Sequence, residues 1–280
     1  MLGKLIKNEF KTSWQSMSGI YLAAGITVLA MLLLLFVKSA VVSVLGGFAL
    51  MGISLVAIVM TIVMVISNYN TSMFGTQGYL THTLPVKSSD LLFSKTIVSF
   101  AWIFITSIFV AAASVFSFFY SLAQISENTK AFMEQIYQLL SELKAIPDIE
   151  TLKVPMVAIL IMFFIFLLAL VCKIYFAITI ANTKLFRKMP SGLAAIIVLF
   201  AVMAVSVALF VLGTKYIPMA TVIVENSVYF TITKGQLESV FALSPTHPYL
   251  PVGGIIFPIL TSIGLQFATS YLIRKKINIR

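Results

Sequence analysis

The side chains able to do acid–base, metal or nucleophilic chemistry are few and far apart. Two histidines, His82 and His247, both fall in polar stretches between apolar runs. A metal ion or a general base needs partners within a few ångströms, and these two are expected in separate compartments. Cys172 is the sole cysteine and lies inside an apolar run, which leaves no disulfide framework and no thiolate cluster. The phosphate-cradling pattern Gly-x-x-x-x-Gly-Lys-Ser/Thr is missing, and the one Gly-Lys pair, Gly3-Lys4, has no upstream glycine. An intramembrane protease needs Ser with His, or two carboxylates, around one cavity, and a proton-coupled carrier needs an ionisable group at mid-membrane depth. Lys173 is the one ionisable residue inside an expected span, late in its run, where its stem reaches toward the headgroups rather than a substrate. The chain therefore reads as a non-enzyme with no catalytic residue, resident cofactor or metal. If ATP powers it, another subunit binds the nucleotide.

What remains is recognition, and the stretch for it is the polar passage Thr71 to Lys95 between two long apolar runs. Gly75, Gly78 and Pro85 punctuate it. From about Phe74 to Thr83, apolar Phe74, Tyr79 and Leu80, followed by Leu84, alternate with hydroxyl and amide residues. That mixture suits a short amphipathic helix offered at a membrane surface to a partner, or else an ordinary connecting loop.

Phe-Gly-Thr-Gln-Gly-Tyr-Leu-Thr-His-Thr-Leu-Pro-Val, Phe74 to Val86, followed by Ser94-Lys95 and an aromatic-rich span, resembles the loop after the second span of type-2 ATP-binding-cassette (ABC) exporter permeases of low-GC Gram-positive bacteria. The ending Ile273-Arg-Lys-Lys-Ile-Asn-Ile279 is similar to that family's ending. The resemblance implies a coupling helix that docks into a cytoplasmic ATPase subunit, with Phe74, Gly75, Gly78, Tyr79, Leu80, Leu84 and Pro85 as its residues. It further implies a homodimer or a heterodimer with a related permease, and short re-entrant helices between the fifth and sixth spans. The implied activity is ATP-driven export of a hydrophobic or amphipathic substrate: a peptide, drug, lipid or glycan. The reading from a different class is a sensory or scaffold subunit that binds an ATPase or kinase without transporting anything.

The elements that must position this passage follow from composition. Of 280 residues, 60% are hydrophobic and 10% charged, with a mean hydropathy of +1.06; a soluble domain carries about 25% charged residues. The fold class expected is an all-α membrane protein forming one permease domain over residues 1–280, in the bacterial cytoplasmic membrane. Residues 1–18 pattern as an interfacial helix, with Leu2, Leu5, Ile6, Phe10 and Trp14 opposed to Lys4, Lys7 and Lys11; a signal peptide does not fit the long apolar run that follows. Six runs meet the length of a spanning helix, about 20 residues: 19–37, 41–66, 96–122, 155–182, 193–213 and 252–273. Residues 123–154 pattern as a short outer helix resting on the spans, in preference to a substrate-binding lid, and carry Phe132, Ile136, Leu139, Leu140 and Leu143, ended by Pro147. In 214–251, Pro218, Glu225 and Asn226 interrupt an apolar stretch, which reads as membrane-dipping, irregular or outer strand.

Basic residues set the orientation. Lys4, Lys7 and Lys11 precede the first span, Lys87 and Lys95 follow the second, Lys184, Arg187 and Lys188 follow the fourth, and Arg274, Lys275, Lys276 and Arg280 close the chain. The opposite side carries half as many: Lys38, Lys130, Lys144, Lys153, Lys215 and Lys234. The excess of Lys and Arg belongs in the cytoplasm, which puts both termini and the Thr71–Lys95 passage there. The net charge of +10 is thus explained by topology without nucleic acid. In a Cys172→Ala background, a cysteine at Ser141 should react with an impermeant maleimide from outside and one at Ser89 should not. The reverse pattern overturns this orientation.

Overall fold

The computed structural model describes residues 2–34, 40–75, 78, 87–124, 149–186, 189–216, 219–224, 228–233, 249–250 and 252–275. These are almost entirely helical: α1 (Leu2–Leu34), α2 (Ala40–Phe74), α3 (Ser88–Gln124), α4 (Ile149–Ala181), a 3-10 turn (Lys184–Phe186), α5 (Ser191–Tyr216) and α6 (Val252–Lys275). Among the described residues, five stretches are long and apolar enough to cross a membrane: Gly52–Phe74, Ser88–Val115, Leu160–Ala181, Ser191–Gly213 and Ile256–Arg274. They correspond to the second to sixth expected spans. At about 1.5 Å per residue, the 35 residues of α2 reach beyond a hydrocarbon core of about 30 Å.

Helix boundaries depart from the apolar runs where polar residues continue the helix. α2 runs on through Asn68 and Asn70 to Phe74, and α3 begins at Ser88, eight residues before the expected Thr96. The sequence Ser88-Ser89-Asp90 supplies the start: oxygen-bearing side chains and an acid in the first turn favour a helix N-terminus. From Leu2 on, the stretch expected at the interface is continuous with the helix that follows it. α1 passes through residue 18 without a break, because a lone Gly19 costs about 1 kcal/mol relative to Ala, which is too little to end a packed helix.

Between α5 and α6 the described residues are extended. β1 (Met219–Val224) pairs antiparallel with β2 (Val228–Thr233), from Met219 opposite Thr233 to Val224 opposite Val228, and with β3 (Tyr249–Leu250) on its other edge. The β-branched residues Thr221, Val222, Ile223, Val224, Val228, Thr231, Ile232 and Thr233 explain the preference. Of the readings for 214–251, strand is therefore the one seen there, and the re-entrant helices implied by the resemblance are not found among the described residues. The outer helix expected around Phe132 to Leu143 lies outside the described residues.

The chain divides into two compact units, Gly3–Asn68 with Ile97–Pro147, and Tyr69–Thr96 with Asp148–Arg280. The first is gathered on Trp102 of α3. Its ring meets Phe10, Trp14 and Tyr21 of α1 at centroid distances of 5.3, 5.8 and 5.7 Å, and its Nε1 donates to Ser13 Oγ at 2.9 Å. One turn on, Thr106 Oγ1 exchanges hydrogen bonds with Tyr21 Oη at 2.8 Å and with Thr61 Oγ1 of α2 at 3.0 Å. The apolar face that patterned as interfacial thus packs in part on a protein neighbour.

The core of the second unit lies where Tyr69 and Met73 of α2, Leu92 of α3, and Val171, Tyr175 and Thr179 of α4 bury their side chains together. By contrast, only 6% of the apolar 18-residue window within Ser191–Gly213 of α5 is buried, although this stretch is the most apolar of the five. Such surface is stable in lipid, where apolar side chains need no cover.

Trp102→Phe should cost about 1 kcal/mol, the value of one buried hydrogen bond, and Trp102→Ala about 3 kcal/mol. Denaturant unfolding in mixed micelles checks both values. Equal, negligible losses would show that Trp102 does not organise this unit.

Candidate functional site

The described part of the recognition passage grows out of a polar base. α2 reaches its end with Tyr69, Asn70, Ser72, Met73 and Phe74, three of which carry groups that lipid cannot satisfy. Each finds a partner. Tyr69 Oη shares a hydrogen bond with Thr179 Oγ1 at 2.8 Å, and its ring stacks on Tyr175 with centroids 3.8 Å apart and planes 12° from parallel. Such a pair adds about 0.5–1.5 kcal/mol beyond the area it buries. Tyr175 Oη donates to the backbone carbonyl of Lys95 at 3.3 Å. Asn182 Nδ2 reaches Asn70 Oδ1 at 3.4 Å.

Lys95 is the charged member of the base. It is 4% exposed, and its Nζ donates to Ser72 Oγ at 2.8 Å. A lysine within a membrane helix costs about 2.5–3.5 kcal/mol on insertion scales, so its burial requires oxygen partners from neighbouring helices. Next to it, Thr96 Oγ1 accepts from Gln266 Nε2 of α6 at 3.1 Å, and Gln266 Oε1 accepts from Cys172 Sγ of α4 at 3.6 Å. Four helices of this unit are thereby tied at one level. Lys95 had counted as a flanking charge outside the spans; the early start of α3 carries it inside.

Phe74 is the last residue of α2 and is buried, its ring meeting Tyr69 edge-on at 6.0 Å. Gly75 follows at once, its amide donating to Asn70 and Thr71 carbonyls at 3.1 and 3.2 Å, and Gly78 N–H returns to the Gly75 carbonyl at 2.9 Å. Both glycines are sterically required. A Cβ on Gly75 would stand 2.8 Å from the Thr71 carbonyl oxygen, and one on Gly78 would stand 2.7 Å from that of Met73. The close approach at Gly78 is thus made to the chain's own backbone. Tyr79, Leu80, Leu84 and Pro85 lie outside the described residues.

The second feature of this unit is a cavity of about 360 Å³ between α4, α5 and α6. Phe163, Phe166, Phe210 and Phe257 line it with Met203 and Val207, and Lys173, Ser206 and Thr261 supply its polar atoms. Lys173, expected to reach toward the headgroups, is among the residues of this wall. Among the described residues no group of His, Cys, Asp and Glu is arranged to hold a metal ion.

Sequence reasoning missed Tyr69, Tyr175, Thr179 and Gln266. The available signal was their type: a phenol or amide within an apolar helix requires a hydrogen-bond partner on a neighbouring helix.

Gly75→Ala and Gly78→Ala should each lower stability by about 1–3 kcal/mol, the range for overpacking. Gly192→Ala, where a Cβ meets nothing within 4 Å, should leave it unchanged or higher. Thermal unfolding in detergent distinguishes them, and equal behaviour of the three would remove the steric requirement.

Comparison of the chain with protein-family models, with curated proteins and with solved structures returned no match.

Proposed function

We propose that this chain is the permease subunit of a type-2 ABC exporter: a six-span protein of the bacterial cytoplasmic membrane with both termini and residues 74–84 in the cytoplasm. It forms the membrane pathway as a homodimer or with a related permease, and a separate ATPase subunit binds and hydrolyses ATP. The substrate class is hydrophobic or amphipathic.

The observation that carries this reading is the base beneath Phe74. A coupling segment must be fastened to helices that move with it, or a push from an ATPase would dissipate in a loose loop. Here the segment starts from a buried Phe74 and a tight Gly75–Gly78 turn. Through Tyr69, Ser72 and Lys95, that turn engages α3 and α4 with hydrogen bonds near 3 Å. ATP-driven closure of the ATPases would bias the equilibrium between inward-closed and outward-open arrangements through this fastening. The motif resemblance at Phe74 to Val86 supplies the identity of the partner.

Within this mechanism Tyr79 and Leu80 are the anchors in the ATPase groove, since interface energy concentrates in a few buried aromatic and apolar side chains. The Tyr79→Ala, Leu80→Ala double variant should reach the membrane at normal abundance and lose about 2 kcal/mol or more of ATPase association. Substrate-stimulated ATP hydrolysis should fall in parallel. Membrane abundance, ATPase pull-down and hydrolysis are measured on one preparation; normal values for all three would end the coupling assignment. An ATPase absent from the wild-type complex would favour the sensory or scaffold role.

A further inference from the structure

We infer that the cavity between α4, α5 and α6 binds a monocarboxylate with an apolar body, its carboxylate seated on Lys173 near mid-membrane depth and its body filling the aromatic end toward the membrane surface. The site is complete within one chain and needs no ATPase, so it stands or falls separately from the exporter assignment.

The cavity is polarised along its length. Phe163 lies three residues from the Leu160 end of its span, Phe210 three from the Gly213 end, and Phe257 one from the Ile256 end. These ends lie together: Phe166 meets Phe210 edge-on with centroids 6.3 Å apart, and the Phe257 ring occupies the space that a Cβ on Gly213 would need. Lys173 is ten residues beyond Phe163, a rise of about 15 Å, which brings it close to the middle of Leu160–Ala181. Its neighbour Cys172 fixes the same level, since Sγ donates to Gln266 beside the middle of Ile256–Arg274. Ser206 and Thr261 also lie inward of the phenylalanines on their own helices. A ligand that fits therefore carries its charge at its inner end.

Charge gives the second observation. Among the described residues Lys173 has no hydrogen-bond or ion-pair partner, whereas Lys95 reaches Ser72 at 2.8 Å. No carboxylate lines the cavity among those residues either. A cation at this depth without a counter-charge is costly, and an anion carried in by a ligand turns it into a neutral pair.

Hydrogen-bonding capacity narrows the class. Ser206 Oγ donates to the Val202 carbonyl at 2.7 Å and Thr261 Oγ1 to the Pro258 carbonyl at 3.1 Å, so both protons are committed. Lys173 is left as the donor for a ligand. One acceptor group is what such a cavity can satisfy, which fits a single carboxylate; a glycan or a peptide backbone would bring further polar groups that go unmet. A bare inorganic anion would leave the phenylalanine end uncovered. The volume of about 360 Å³ lies at the small end of ligand sites, about 300–1,000 Å³, and suits a compact aromatic or alkyl body.

The test is scintillation-proximity binding of tritiated 6-phenylhexanoate to the purified full chain in detergent, with 6-phenylhexanol and acetate as competitors. Wild type should bind saturably. The alcohol, which has the body without the charge, should compete about tenfold more weakly than unlabelled acid, the worth of a charge-assisted contact. Acetate, the charge without the body, should not compete at the same concentrations. Lys173→Met should weaken binding about tenfold. It should also leave the thermal midpoint of the ligand-free chain unchanged or higher, because the cation it removes has no counter-charge; a purely structural lysine would lower it. Leu170→Trp, which narrows the passage between Phe166 and Lys173 and keeps the cation, should lose binding too, with thermal unfolding showing that it is folded. No saturable binding by wild type, equal competition by the alcohol, competition by acetate, undiminished binding by either variant, or a lowered midpoint for Lys173→Met would each overturn the inference.

Discussion

A lysine buried among membrane helices must be met by oxygen, and the second unit is arranged around that requirement at Lys95. Its ammonium lies 2.8 Å from Ser72 Oγ, which sets the rotation of α2 against α3. Its backbone carbonyl takes the Tyr175 hydroxyl, which sets α4 against α3. The Tyr69–Tyr175 stack then closes the triangle. In water such bonds exchange with solvent and contribute little net; with no solvent to exchange with, an unmet group costs far more. The base is therefore defined more by what its separation would expose than by the strength of any one contact.

The first unit solves a related problem with one side chain. Trp102 has a large apolar ring and a single donor, so it can gather Phe10, Trp14 and Tyr21 while its N–H is taken by Ser13. The Thr61–Thr106–Tyr21 hydroxyl chain extends the same logic one turn along α3. Small hydroxyl residues let helices approach closely and bond across the gap, whereas large aliphatic residues on α2 such as Leu55, Val56 and Val59 remain exposed and suited to lipid.

How much of this was legible beforehand depended on which property carried the information. Hydropathy located six spanning runs, five of them matched by apolar helices among the described residues, because apolar length is a local property of the chain. It misplaced the ends of α2 and α3, since Asn70, Ser88 and Asp90 continue a helix for reasons of capping and tertiary bonding that hydropathy does not register. Gly75 and Gly78 were readable as a turn, but the backbone each would strike could be found only in three dimensions. Lys95 and Gln266 were visible as residues and opaque as partners: pairing across α3, α4 and α6 spans up to 170 positions of sequence. The strands near Met219 sat between two readings because an apolar, β-branched run interrupted by polar residues suits either.

α6 bears on how the chain is made as well as how it stands. Its membrane stretch has a mean hydropathy of 1.5, against 3.1 for α5, and Pro258 within it forfeits one backbone hydrogen bond. Ser262 and Thr261 hydroxyls both return to the Pro258 carbonyl, and Gln266 is satisfied by Thr96 and Cys172. During synthesis α5 partitions into the bilayer on its own hydrophobicity. α6 has less to drive it and an amide to satisfy, so its entry is favoured once α3 and α4 are in place to receive Gln266. Biogenesis of this unit thus has a preferred order, with the last helix inserted by its neighbours as much as by the lipid.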